Sequence, residues 1–148
     1  MSASAVETAF KNSWEGAEEF YAAIARAPEL GWLAPMSVLV RELLSRGYDR
    51  LFRHGHALYF LVLSRSLQHG LRGDQPSITF WPQQDGTLQI HCELRGPRGL
   101  VRRAFKLPSV ALTTEVDQLL GRLAQERGDE CLSGRLTSAC SWRARPKG

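Results

Sequence analysis

Residues 77–107 read SITFWPQQDGTLQIHCELRGPRGLVRRAFKL, and apolar and polar side chains alternate along much of this segment. The alternation is cleanest where polar residues separate Leu88, Ile90, Cys92 and Leu94. A period of two is typical of a strand that has one face in the core and the other in water. The segment therefore predicts a three-stranded antiparallel meander.

Turn signals within this segment predict the register of the meander. A three-residue loop ending at Gly86 keeps apolar side chains opposite each other, and a four-residue loop at residues 96–99 does the same. The predicted pairs are Ile78 with Cys92, Phe80 with Ile90, Leu88 with Leu107, Ile90 with Phe105, Leu94 with Val101, and Glu93 with Arg102. Arg103 falls on the core side opposite Cys92, which indicates a bulge, a sheet margin or a buried partner.

Helical patterns lie on both sides of the meander. Apolar residues at steps of three and four predict a helix over residues 4–27. A second helix is predicted to begin near Pro35 and to end at Gly47. The two are expected to pack as a helical hairpin.

The C-terminal part predicts one more helix and a tail. Thr113 or Thr114 offers an N-cap, and an apolar stripe continues toward Gly128. This helix is expected to cover the sheet. Residues 129–148 hold only scattered apolar positions and are expected to form a loosely ordered tail.

Residues 57–63, ALYFLVL, are apolar on every side, so periodicity cannot separate a buried helix from a central strand. The segment is rich in Leu, has one β-branched residue, Val62, and continues to a C-cap-like Gly70. These features favour a buried helix over residues 55–70, with a central strand as the alternative. The predicted fold class is α+β, with N-terminal helices, a three-stranded antiparallel meander and a C-terminal helix packed on the sheet, in one domain over residues 1–128.

Composition is that of an ordinary globular protein, with 43% hydrophobic and 23% charged residues. The apolar run at residues 57–63 is much shorter than the roughly 20 residues that cross a bilayer. The start of the chain, which reaches Glu7 without a basic residue, is atypical of a secretory signal. We therefore expect a cytoplasmic protein without a membrane segment.

Charge is unevenly distributed along the chain. Residues 50–108 hold 9 of the 19 Lys and Arg residues but only 3 of the 15 acidic residues. This basic middle third fits an anionic partner, and nucleic acid is one such partner.

Cys92, Cys131 and Cys140 form no Cys-x-x-Cys pair, so neither a disulfide framework nor a structural zinc site is expected, and no cofactor is indicated.

The outer face of the predicted sheet is the leading candidate for a binding surface. An exposed Trp among cations on a flat sheet resembles surfaces that grip a partner protein or stack bases. The candidate binding residues are Trp81, His91, Arg95, Arg102 and Lys106, and they share the face with Thr79, Gln89 and Glu93. Because catalytic motifs are absent from the sequence, this surface favours a non-enzymatic binding or assembly-support protein, with a protein partner or self-association through the sheet.

A winged-helix nucleic-acid-binding module is an alternative, since such modules place three helices before a hairpin. Arg95 and Arg98 would then contact phosphates near the second turn. A recognition helix needs a polar face, however, and residues 57–63 show none.

A second alternative is a small ligand-binding protein or enzyme with an anion site. Arg65, Ser66, His69 and Arg72 are placed together at the end of the predicted third helix. Cations at a helix C-terminus also stabilise the helix without any ligand.

Two histidine patterns are interpreted as structural. His54 and His56, separated by one Gly, match no established metal-ligand spacing and are predicted to be turn residues. His91 and Cys92 are adjacent on a strand, so their side chains point to opposite faces and cannot form a catalytic pair.

Overall fold

The computed structural model describes residues 2–67 and 75–126. Within these residues, helices flank a five-stranded antiparallel sheet in which each strand pairs with the next along the chain. The helices are α1 (Ala3–Ser13), α2 (Ala17–Ile24), α3 (Ala34–Ser45) and α4 (Thr114–Ala124), with 3-10 helices at Pro28–Leu33 and Tyr48–Arg50. The strands are β1 (Arg53–Ala57), β2 (Phe60–Ser64), β3 (Ser77–Pro82), β4 (Leu88–Gly96) and β5 (Gly99–Leu107).

The predicted helix over residues 4–27 is wrong as a single element, because α1 and α2 are separated by a break. Gly16 has a φ of 78°, in the left-handed region that glycine adopts without strain. The indole Nε1 of Trp14 donates a hydrogen bond of 2.9 Å to the carbonyl of Phe52. This bond fixes the α1–α2 connection to Phe52, the residue that directly precedes β1.

Helix α3 forms as predicted and packs against α2. Pro35 lies in its first turn, where no intrahelical N–H is needed. Gly47 follows the helix with a φ of 79° and turns the chain toward β1.

The predicted helix over residues 55–70 is wrong, and with it the three-stranded sheet. Strands β1 and β2 form a hairpin there, with Leu58 at a φ of 56° in the turn. Leu61 and Leu63 face the core, and β2 lies between β1 and β3, so the alternative of a central strand holds for this segment. Apolar residues on both faces of β2 suit a strand in the sheet interior, which local composition cannot distinguish from a buried helix.

The predicted register of the meander is confirmed at every pair. The structure pairs Ile78 with Cys92, Phe80 with Ile90, Leu88 with Leu107, Ile90 with Phe105, Leu94 with Val101, and Glu93 with Arg102. Gly86 has a φ of 90° in the first loop. Gly96 and Gly99 also pair with each other, so the second turn is shorter than predicted while the register is unchanged.

Arg103 lies opposite Cys92 and is exposed. Strand β5 is at the edge of the sheet. Of the three explanations offered by the sequence, the sheet margin is therefore the one that holds.

The core lies between the helices and one face of the sheet. Side chains of α2, α3 and α4 form one cluster with the inward-facing residues of the strands. The apolar stripe of α4 is buried as predicted, and the hydroxyl of Thr113 accepts a hydrogen bond of 3.2 Å from the amide of Val116 at the N-cap. The predicted end at Gly128 and the predicted tail at residues 129–148 lie outside the described residues.

A polar contact joins the end of α3 to α4. The Tyr48 hydroxyl donates a hydrogen bond of 2.6 Å to the carboxylate of Asp117, which also pairs with Arg46. Burial and this hydrogen bond raise the pKa of Tyr48 to about 12.

Across the described ranges, every helix is too short or too polar to traverse a lipid bilayer.

Candidate functional site

The outer face of the sheet, on the side away from the core, brings together most of the candidate binding residues. The register places Thr79 opposite His91, and Trp81 opposite Gln89. Gln89 in turn lies opposite Lys106. Side chains from β3, β4 and β5 therefore form one continuous surface.

An aromatic row crosses this face. The ring centroids of Phe60 and Trp81 are 4.4 Å apart, and those of Trp81 and His91 are 5.5 Å apart. Trp81 is 36% exposed although it contacts both neighbours. Aromatic side chains held by mutual packing offer a large contact area at little cost in conformational entropy.

A shallow groove of about 490 Å³ runs beside the aromatic row. Its walls include Phe60, Thr79, Trp81, His91, Glu93 and Arg102. Phe60 was missed by the sequence analysis, because it lies in the segment that was assigned to a helix. Its outward position follows only once β2 is paired with β3.

Hydrogen bonds orient the polar groups around the groove. Arg102 donates through Nε to the carboxylate of Glu93, while the Arg102 side chain remains 85% exposed. His91 donates through Nε2 to the amide oxygen of Gln89, at 3.1 Å. The groove thus combines aromatic side chains with cations, a carboxylate and hydrogen-bonding groups in its lining.

Arg95 shares the outer face by register but lies apart from the groove. Its Nε is 3.3 Å from the carboxylate of Glu126, just after α4, and its backbone amide donates to the same carboxylate at 3.2 Å. Arg95 is therefore engaged at the end of the sheet. The sequence pattern of β4 contains no signal for this contact.

The predicted anion site is only partly within the described residues. Arg65 follows β2 and donates a hydrogen bond of 2.9 Å to the carbonyl of Leu51, and Ser66 is fully buried. His69 and Arg72 lie outside the described residues. The helix end on which the four were placed is replaced by β2 and the residues that follow it.

His91 and Cys92 point to opposite faces of β4, as predicted for neighbours on a strand. Cys92 is buried in the core, and burial raises the pKa of its thiol. His91 lies on the outer face. The two side chains therefore form no nucleophile and base pair.

A second cleft, of about 630 Å³, lies between the α1–α2 connection and β1. Its lining includes Ser13, Glu15, His54 and His56. The sequence pattern does not indicate this cleft, because the two histidines are predicted to be turn residues and lie instead on β1. Among the described residues, no three His, Cys, Asp or Glu side chains are grouped so that they could hold a metal ion.

His54 is fixed in its neutral form at this cleft. Its Nδ1 donates to the carbonyl of Ser13 at 3.1 Å, and its backbone amide donates to the Ser13 hydroxyl at 2.7 Å. Burial lowers the pKa of His54 to about 4. Nε2 is buried without a hydrogen-bond partner among the described residues.

Comparison with known proteins gives no match to a family model, to a curated protein or to a solved structure.

Proposed function

We propose that the protein is a non-enzymatic binding module that takes a protein partner on the outer face of its sheet. The observation that carries the proposal is the aromatic row Phe60, Trp81 and His91, which borders a groove and remains partly exposed. Trp and Arg side chains that pack in such positions supply most of the binding free energy in protein interfaces. Trp81 and Arg102 are therefore the expected anchors.

The winged-helix alternative receives no support from the order of elements. Strands β1 (Arg53–Ala57) and β2 (Phe60–Ser64) lie where that alternative needs a third helix. The anion-site alternative depends on His69 and Arg72, which lie outside the described residues. Neither alternative is favoured by a specific observation.

The test is to immobilise the wild-type protein, identify the proteins it retains from a cell extract, and measure the affinity of the principal one. We expect Trp81→Ala with Arg102→Ala to weaken that affinity by at least about thirtyfold, since the loss of even one anchor residue costs about 2 kcal/mol or more. Affinity is measured by surface plasmon resonance with purified partner.

The matched control changes an exposed apolar residue and an ion-paired Arg on the helical side. Val38 is 55% exposed on α3, and Arg41 of the same helix pairs with Glu18 at 2.7 Å. Val38→Ala with Arg41→Ala should leave binding unchanged. Equal affinity of the Trp81 and Arg102 double variant and the wild type would exclude the outer face as the binding surface.

A further inference from the structure

The two edges of the sheet differ in how their backbone groups are used. At β1, the amide of His54 donates to the Ser13 hydroxyl at 2.7 Å, and the carbonyl of Phe52 just before the strand accepts from the Trp14 indole at 2.9 Å. The end of α1 and the α1–α2 connection therefore cover the start of the β1 edge, at Phe52 and His54. Covering an edge in this way prevents another strand from pairing with it.

Strand β5 has no such cover among residues 2–67 and 75–126. It runs for nine residues in unbroken register with β4, without a bulge or a proline. Gly96 and Gly99 close the two-residue turn, and such a turn is closed by a hydrogen-bonded pair. Because amide direction alternates along a strand, every second N–H of β5 points away from β4. These are the amides of Leu100, Arg102, Ala104 and Lys106.

Side chains on the two faces of β5 differ in character. On the outer face, Arg102 and Lys106 are exposed cations, and Lys106 forms no ion pair with the described residues. On the core side, Val101 is 48% exposed and Phe105 is half-buried, and the exposed cation Arg103 lies between them on the same side of the strand. An added strand with acidic residues outward and apolar residues inward would meet opposite charges on the outer face and would place apolar side chains beside Val101 and Phe105 on the other.

We propose that β5 binds an extended acidic segment of a partner protein as a sixth strand of the sheet. The inference rests on the proposed function, since it names the chemistry of the partner that also contacts the outer face. Charge decides between this occupant and a second copy of the chain. Two copies of β5 side by side would bring Arg102, Arg103 and Lys106 of each copy together, and like charges on paired strands repel.

The test uses a fluorescein-labelled nine-residue peptide of alternating Val and Glu, with binding measured by fluorescence anisotropy at low salt. We expect saturable binding, at least about tenfold weaker affinity for a peptide with Lys in place of Glu, and similar weakening when the peptide amides are N-methylated. Slower hydrogen exchange at the amides of Ala104 and Lys106 on peptide addition should locate the contact at β5. Absence of saturable binding, or equal binding of the Lys peptide, would overturn the proposal.

Three variants test whether the contact is on the strand edge. Ala104→Pro removes an outward N–H from an edge position where proline is tolerated, and it should weaken peptide binding by at least about tenfold. Ala104→Ser keeps the amide and should bind like the wild type. Lys106→Glu keeps the backbone intact and should weaken binding by about fivefold or more, which covers the case in which the proline variant does not fold.

The outcomes separate this proposal from the proposed function. Loss of peptide binding in Trp81→Ala with full binding in Ala104→Pro would overturn the edge contact and leave the outer face in place. Loss in Ala104→Pro with a natural partner insensitive to Trp81 and Arg102 would support the edge contact and exclude the outer face. Self-association of the wild type through β5, seen as a dimer that Ala104→Pro dissociates, would overturn the choice of occupant.

Discussion

Phe80→Ala is expected to lower the free energy of unfolding by about 3–5 kcal/mol, the usual cost of emptying the site of a buried aromatic ring. Phe80 is fully buried and lies between Leu61 of β2 and Ile90 of β4. Its ring belongs to the core cluster that side chains of α2, α3 and α4 form with the strands. This loss is a large part of the 5–15 kcal/mol that typically stabilises a domain.

The neighbouring residue supplies the control. Trp81 is on the same strand but points outward and is 36% exposed, so Trp81→Ala should cost less than Phe80→Ala, because removal of a surface ring leaves no closed cavity. Urea denaturation of the two variants at pH 7 measures both changes. If Trp81→Ala were as destabilising as Phe80→Ala, the assignment of the two faces of the sheet would be wrong.

Acidification is expected to destabilise the fold through His54. Its pKa is 6.5 in the unfolded chain and about 4 in the folded protein, where burial disfavours the charged ring. Between these values the unfolded chain binds a proton that the folded protein does not. The free energy of unfolding should therefore fall as the pH is lowered through this window, by about 3 kcal/mol in all, and this contribution is fully present above pH 6.5.

His54→Gln tests the contribution of this histidine, since the variant removes the imidazole and keeps every other ionisable side chain. Urea midpoints at pH 7, 6 and 5 should decline more steeply in the wild type than in the variant. The variant also loses the hydrogen bond to the Ser13 carbonyl and is expected to be less stable at pH 7. Parallel pH profiles for the two proteins would show that His54 is not held in its neutral form.

The candidate site was partly predictable. Alternation along β3 and β4 was sufficient to place Trp81 and His91 on one face, because strand neighbours alternate whatever the rest of the fold does. Phe60 was not predictable, since its position depends on the pairing of β2 with β3. The ion pair between Arg95 and Glu126 was also not predictable, because the two residues are far apart in sequence and meet only when α4 packs on the sheet.

Local signals determined the parts of the fold in which pattern and turn chemistry agree. The register of the meander followed from the alternation of residues 88–94 and from a glycine at positive φ, and the ends of α3 followed from Pro35 and Gly47. Tertiary structure decided the rest. Residues 57–63 could be buried in the core either as a helix or as a strand. The strand forms because the backbone of β2 pairs with that of β3, and its inward apolar side chains extend the apolar face of β3. The break at Gly16 has the same origin, because Trp14 finds its hydrogen-bond partner at Phe52, on a different part of the chain.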